Sequence, residues 1–264
     1  MADEQVTANT IREAFAAGTA LVRARFWRYA GLVMVLMLLF GLTGFIRMAV
    51  AKTGLWSAMV VFGFLLNLTL GIMNIGLYRS FWDGMRGEPV RLQHLFWGFG
   101  KSTRWMLPLI STLIWLPLIV EQTNNPVPAM VHPPAWAYWL IIPGVLLEIV
   151  VGYAYALIVR LDVGPLAALR MAMTIFQKGK RRWLALPFLI MLAFMGAAMI
   201  IALSIVLIAL AGKALALSKG LIVVFLMLLG VPIGLGWVLA MFPWMGATIL
   251  SASGNLVGSK LQNQ

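Results

Sequence analysis

Six apolar runs shape everything this chain can become: approximately residues 29–46, 54–78, 105–120, 136–159, 184–211 and 220–247. A helix that crosses the hydrocarbon core of a bilayer needs roughly 20 mostly apolar residues. In lipid each backbone N–H and C=O must find its partner within the protein, which leaves helices and closed barrels as spanning structures. The third run is short and contains Pro108 and Pro117; the last contains Gly230, Pro232, Gly234, Gly236 and Pro243 and is expected to break or bend. A chain of 264 residues that is 62% hydrophobic and 11% charged also lacks the polar side chains to clothe a soluble globule. The reading is an all-α polytopic membrane protein with six transmembrane helices.

The bases between these runs give an orientation. Arg12, Arg23, Arg25 and Arg28 precede the first run. Arg79, Arg86, Arg91, Lys101 and Arg104 follow the second, Arg160, Arg170, Lys178, Lys180, Arg181 and Arg182 follow the fourth, and Lys260 lies in the tail. Arg47, Lys52, Lys213 and Lys219 fall in the alternate linkers. Sixteen bases against four, under the positive-inside rule, put both termini in the cytoplasm. The linker "EQTNNPVPAMVHPP" at 121–134 has no Lys or Arg and reads as an exposed extracytoplasmic loop. The net charge of +12 is thereby a matter of topology and anionic headgroups, and no nucleic acid is expected as a partner. No apolar core begins before about Tyr29, so the first span is expected to serve as an uncleaved insertion signal. The chain reads as a single membrane domain, with a cytoplasmic amphipathic segment at 1–28, a bundle at 29–250 and a flexible cytoplasmic tail at 251–264.

Three basic segments carry a helical apolar stripe. Ile11, Phe15, Gly18, Val22 and Phe26 form the first, behind a Thr10/Glu13 capping box. Leu92, Leu95, Phe96 and Phe99 form the second, and Leu166, Leu169, Met173 and Phe176, after Pro165, form the third. Each is expected to lie as an amphipathic α-helix in the cytoplasmic interface. Each also leads into a base–aromatic pair at the start of a span: Arg28-Tyr29, Arg104-Trp105 and Arg182-Trp183. The layout is three transmembrane hairpins, each preceded by an interfacial helix; whether the threefold pattern is true internal repetition stays open.

Motifs that carry chemistry are few. "GFGKST" at 98–103 lacks the first glycine of a phosphate loop, since Leu95 occupies that position, and it gets no nucleotide role. Asn67-Leu-Thr69 is a glycosylation sequon inside an apolar span, a chance match. With no cysteine, and with His94 and His132 on opposite sides of the expected membrane, no metal set or catalytic constellation forms; no cofactor and no enzyme activity are expected. Asp83 and "RGE" at 86–88 are expected to be a turn braced by a local salt bridge. Glu148 is the acid well inside a span, either a functional carboxyl linked to a proton or ligand or a structural hydrogen-bonding group facing a neighbouring helix. Asn67 and Asn74, seven apart on the second span, are its expected partners. Tyr153 and Tyr155 are expected to anchor at the interface, and Gly230-x-x-x-Gly234 to allow close helix packing. The run Lys178, Lys180, Arg181 and Arg182 is the candidate contact for anionic lipid.

The order of "RGE" with "LFWGF" (86–88, 95–99), "IPG" (142–144), "RLD" (160–162) and "PLAALRMAM" (165–173) resembles the YciC-like families of bacterial polytopic membrane proteins, over roughly residues 10–250 in layout. Related sequences often carry a serine after the acidic turn, where this chain has Thr174. The resemblance implies six membrane helices in a bacterial inner membrane and carries over no substrate or reaction. The function expected is a non-enzymatic membrane component that binds membrane lipids, other membrane proteins or itself. The alternatives are a small-solute or proton-linked transporter using Glu148, Asn67 and Asn74, and a lipid-modifying enzyme should Asp83, Glu88, His94 and Asp162 line one cleft.

Overall fold

A computed structural model describes residues 8–51, 56–124, 135–177, 180, 182–214 and 219–256. The described residues are almost all helical, with no strand among them. The α-helices are α1 (Ile11–Ala51), α2 (Trp56–Met85), α3 (Met106–Asn124), α4 (Ala135–Leu161), α5 (Pro165–Met173), α6 (Arg182–Ala214) and α7 (Lys219–Ser253). Among these residues three stretches, Ser57–Met85, Pro143–Leu161 and Gly234–Leu256, are long and apolar enough to cross a membrane. Helix α2 is central and packs against α1, α3, α4 and α7.

Burial is uneven along these rods. Ile72, Met73, Ile75, Leu77, Tyr78, Phe81 and Trp82 of α2 are buried, whereas Val61 and Leu65 on the same helix are exposed. Leu192, Met199, Leu203 and Leu210 of α6 are exposed too. Apolar side chains gain nothing by leaving lipid for protein, so association rests on close packing, hydrogen bonds and small residues. Among the described residues those are concentrated at one end, where the basic segments lie.

At this basic end the three basic segments and the C-terminal end of α7 form a closed circuit of hydrogen bonds. The Arg25 guanidinium donates to the carbonyls of Gly87 and Glu88, joining α1 to the segment after α2. Lys101 and Arg104 reach Asp162, joining that segment to the α4–α5 turn. Lys180 donates to the Leu256 carbonyl at 3.2 Å, and the Ala8 amide donates to the Ser251 carbonyl at 3.2 Å. The two ends of the described chain therefore share one end of the bundle.

The three amphipathic segments form, but differently from expectation. The first is continuous with the first apolar run in α1, broken only by a kink at Arg25 (φ −139°, ψ 30°). Thr10 Oγ1 caps the Glu13 amide at 3.1 Å, while the Glu13 carboxylate returns to the Asn9 amide at 2.6 Å. Its stripe packs on α7: Phe15 stacks on Trp244 at 5.2 Å, and Gly18 sits against Thr248. The segment is thus part of the bundle, because α7 extends far enough to receive it.

The second segment is a 3₁₀ helix, Leu92–Gly100, not an α-helix. At three residues per turn Leu95 and Gly98 share the inward face while Phe96 falls off it and is exposed; Leu92, at the start of the helix, is exposed too, so the expected face is split. The backbone of residues 94–95 lies against Gly76 of α2, and Gly98 lies against the Ile72 carbonyl, an approach that a Cβ at either glycine would block. In the third, α5 turns Pro165, Ala168 and Ala172 inward and leaves Leu166, Met173 and Phe176 exposed. Small residues meet protein and large apolar ones face outward, which fits a helix lying at a lipid surface.

Further expectations are corrected. Tyr153 and Tyr155 are buried, 0% and 4% exposed, and belong to the core. Residues 251–256, expected in a flexible tail, continue α7 and a 3₁₀ turn, buried against Ala8 and Ala14; only 257–264 lie outside the described residues. Helix α7 runs as one helix through Pro232 and Pro243, without interruption. Space beside Gly234 is open among the described residues, so it mediates no close packing there.

Candidate binding pocket at the basic end

The pocket forms because α2 stops abruptly and the chain folds back on it. Gly87 takes a left-handed conformation (φ +82°), the Glu88 amide donates to the Asp83 carbonyl at 2.8 Å, and the Gly87 amide donates to the Gly84 carbonyl at 3.2 Å. This pair of bonds is the glycine-terminated helix end that closes orphan carbonyls. Pro89 follows, and the 3₁₀ helix then returns along α2. Between them lies a cavity of ≈ 520 Å³ lined by Arg79, Asp83, Glu88, Pro89, Arg91, Gln93, His94 and Trp97.

Asp83 is the buried acid of this pocket. Arg79, one turn earlier on α2, approaches it to 3.0 Å, and His94 Nδ1 lies 3.3 Å from its Oδ2. Glu88 faces Arg86 at 3.6 Å, the salt bridge expected of the "RGE" turn. Both acids therefore have cationic or imidazole neighbours. Arg91 is exposed at the rim and has no ion-pair partner among the described residues.

Trp97 forms the far wall. The Arg104 guanidinium lies 3.3 Å from its ring centroid and that of Arg79 5.4 Å away. Arg104 also donates to the Trp97 carbonyl at 2.8 Å and to Asp162 at 3.2 Å. Burial alone would raise the Asp162 carboxyl, but hydrogen bonds from Arg104 and Lys101 outweigh it and hold it below its ordinary value. Burial draws the Arg104 guanidinium below its ordinary value, against the opposing effect of Asp162. Asp162 adopts φ +48°, a left-handed conformation that Asp tolerates better than most residues, and so meets both bases from the α4–α5 turn.

Asp83, Glu88 and His94 thus converge on one pocket, whereas Asp162 is joined to it only through Arg104 and Trp97. Arg79, Arg91, Gln93 and Trp97 are the lining residues that the sequence reading did not single out as a site. Their one signal was the chain reversal written in Gly87 and Pro89.

The other candidate residues are scattered. Glu148 does not meet Asn67 or Asn74: both asparagines are exposed, and the Asn67 amide donates to the Gly63 carbonyl of its own helix at 2.8 Å. Helix α3 supplies the partners of Glu148, through the Ser111 hydroxyl and the Trp115 indole N–H at 2.8 Å. Lys180 turns inward, donating to Leu256 and to Thr174 Oγ1 at 3.5 Å, so it closes the C-terminal turn rather than facing headgroups. Arg182 is exposed, 5.3 Å over the Trp183 ring. Lys178, Arg181 and His132 lie outside the described residues.

Searches of family models, curated proteins and solved structures find no match to this chain.

Proposed function

We propose that this protein is a six-span, non-enzymatic protein of a bacterial inner membrane, arranged as three hairpins with both termini cytoplasmic, whose pocket holds the headgroup of an anionic phospholipid. The observation that carries this reading is Arg91, without an ion-pair partner among the described residues, at the mouth of a pocket lined by Arg79, Gln93, His94 and Trp97. Leu92 and Phe96, exposed beside it on the same 3₁₀ helix, offer apolar surface for an acyl chain. An amphiphile with a phosphate fits both surfaces, since guanidinium and amide groups donate to phosphate oxygens and basic pockets on the cytoplasmic side favour such headgroups. The clustering of basic segments at one end supports the topology, and the YciC-like layout supports the membrane assigned.

The test is the lipid retained by protein extracted in native nanodiscs. Anionic phospholipid should be enriched over the surrounding membrane, and Arg91→Gln with Gln93→Ala should remove the enrichment while Arg182→Gln leaves it. Wild-type protein carrying lipid of bulk composition would contradict the reading.

A further inference from the structure

We propose that Glu148 is an exchangeable proton-binding site inside the membrane, separate from the lipid pocket and independent of that reading. Glu148 lies thirteen residues before the end of α4 at Leu161, about 20 Å along the helix axis. That depth falls within a hydrocarbon core roughly 30 Å thick.

Three helices build the site. Ser111 and Trp115, one turn apart on α3, both donate to Glu148 Oε1. The Trp115 ring is seated against Gly144, one turn before Glu148 on α4, so the indole cannot swing away without losing that packing. Tyr78 of α2 and Tyr155 of α4 lie within electrostatic reach of the carboxyl. Among the described residues no Lys or Arg pairs with Glu148, and Oε2 has no hydrogen-bond partner. The exposed Asn67 and Asn74 take no part.

This donor set selects a proton over a metal ion. An indole N–H has no lone pair to offer a cation, and hard cations require several oxygen ligands. One carboxyl oxygen is held by two donors that suit the ionised state, while the other is free to carry hydrogen. The Tyr78 hydroxyl faces Gly152, one turn beyond Glu148, and Arg79 and Asp83 of the basic-end pocket follow on the same α2.

Hydrophobic carbodiimides react with protonated carboxyls within lipid, which makes the site directly readable. Wild-type protein in phospholipid vesicles is treated with dicyclohexylcarbodiimide across a series of pH values and mapped by mass spectrometry. Labelling at Glu148 should fall as pH rises and vanish in Glu148→Gln. Ser111→Ala removes a donor to the ionised state, so its labelling should persist to higher pH than wild type. Labelling that is absent or constant at every pH overturns the proposal. Protection by sodium at fixed pH overturns it in favour of a cation site.

Discussion

The Tyr153 hydroxyl donates to the Trp183 carbonyl at 2.9 Å, and that carbonyl is the one Pro187 leaves without a helical partner. An interior proline has no N–H for the carbonyl four residues earlier. In a low-dielectric interior such an orphan is costly, and here α4 repairs a defect in α6.

Tyr153→Phe should therefore lower stability by about 1 kcal/mol, the usual net worth of a buried hydrogen bond. Pro187→Ala restores an amide beneath the same carbonyl. In that background the tyrosine substitution should cost almost nothing. Thermal unfolding in mild detergent of the two single variants and the double variant checks the coupling.

Gly76 and Gly234 should respond in opposite ways to alanine. At Gly76 the added methyl would meet the backbone of His94 and Leu95, which cannot yield without moving the 3₁₀ helix. Gly76→Ala is expected to cost about 1–3 kcal/mol, as overpacking does, and to reduce lipid retention. At Gly234 the methyl meets open space, and Gly234→Ala should gain roughly 0.5–1 kcal/mol from helix preference. The same melting assay separates them.

The Asp162 contacts predict a definite pH dependence. Its carboxyl is held below the ordinary 3.8, so its contribution is complete above that value and fades as pH falls through the folded-state value. Asp162→Asn should be less stable than wild type at neutral pH by about 1 kcal/mol, a modest figure because the carboxylate is largely exposed. The two melting temperatures should converge in strong acid. A gap unchanged by acid would show that the ion pairs do not carry it.

Much of the architecture was legible because it is written locally. Apolar run length placed α3, α4 and α6 to within several residues, although α2 runs on to Met85 through Arg79 and Asp83 and α1 begins at Ile11, well before the first run. What was not legible depends on contacts between helices. Tyr153 beside a basic linker reads as an interfacial anchor, and only the Pro187 defect on another helix explains its burial. Leu92, Leu95, Phe96 and Phe99 suit an α-helix by spacing; the close approach of Gly76 and Gly98 accompanies the tighter turn instead. Glu148 was visible as an acid inside an apolar span, but its partners Ser111 and Trp115 sit on a neighbouring helix, where sequence spacing carries no information. Asp83 and His94 are likewise brought together only by the reversal at Gly87.

The account rests above all on the basic end facing the cell interior. Because the chain has no cysteine, single cysteines report without background. Gln93→Cys and Gln177→Cys, both at exposed positions of the basic end, and Asn124→Cys, at the far end of α3, can be probed in intact cells with a membrane-impermeant maleimide. The prediction is labelling at 124 alone in intact cells, and at all three after the membrane is opened. Labelling at 93 or 177 from outside would contradict the account.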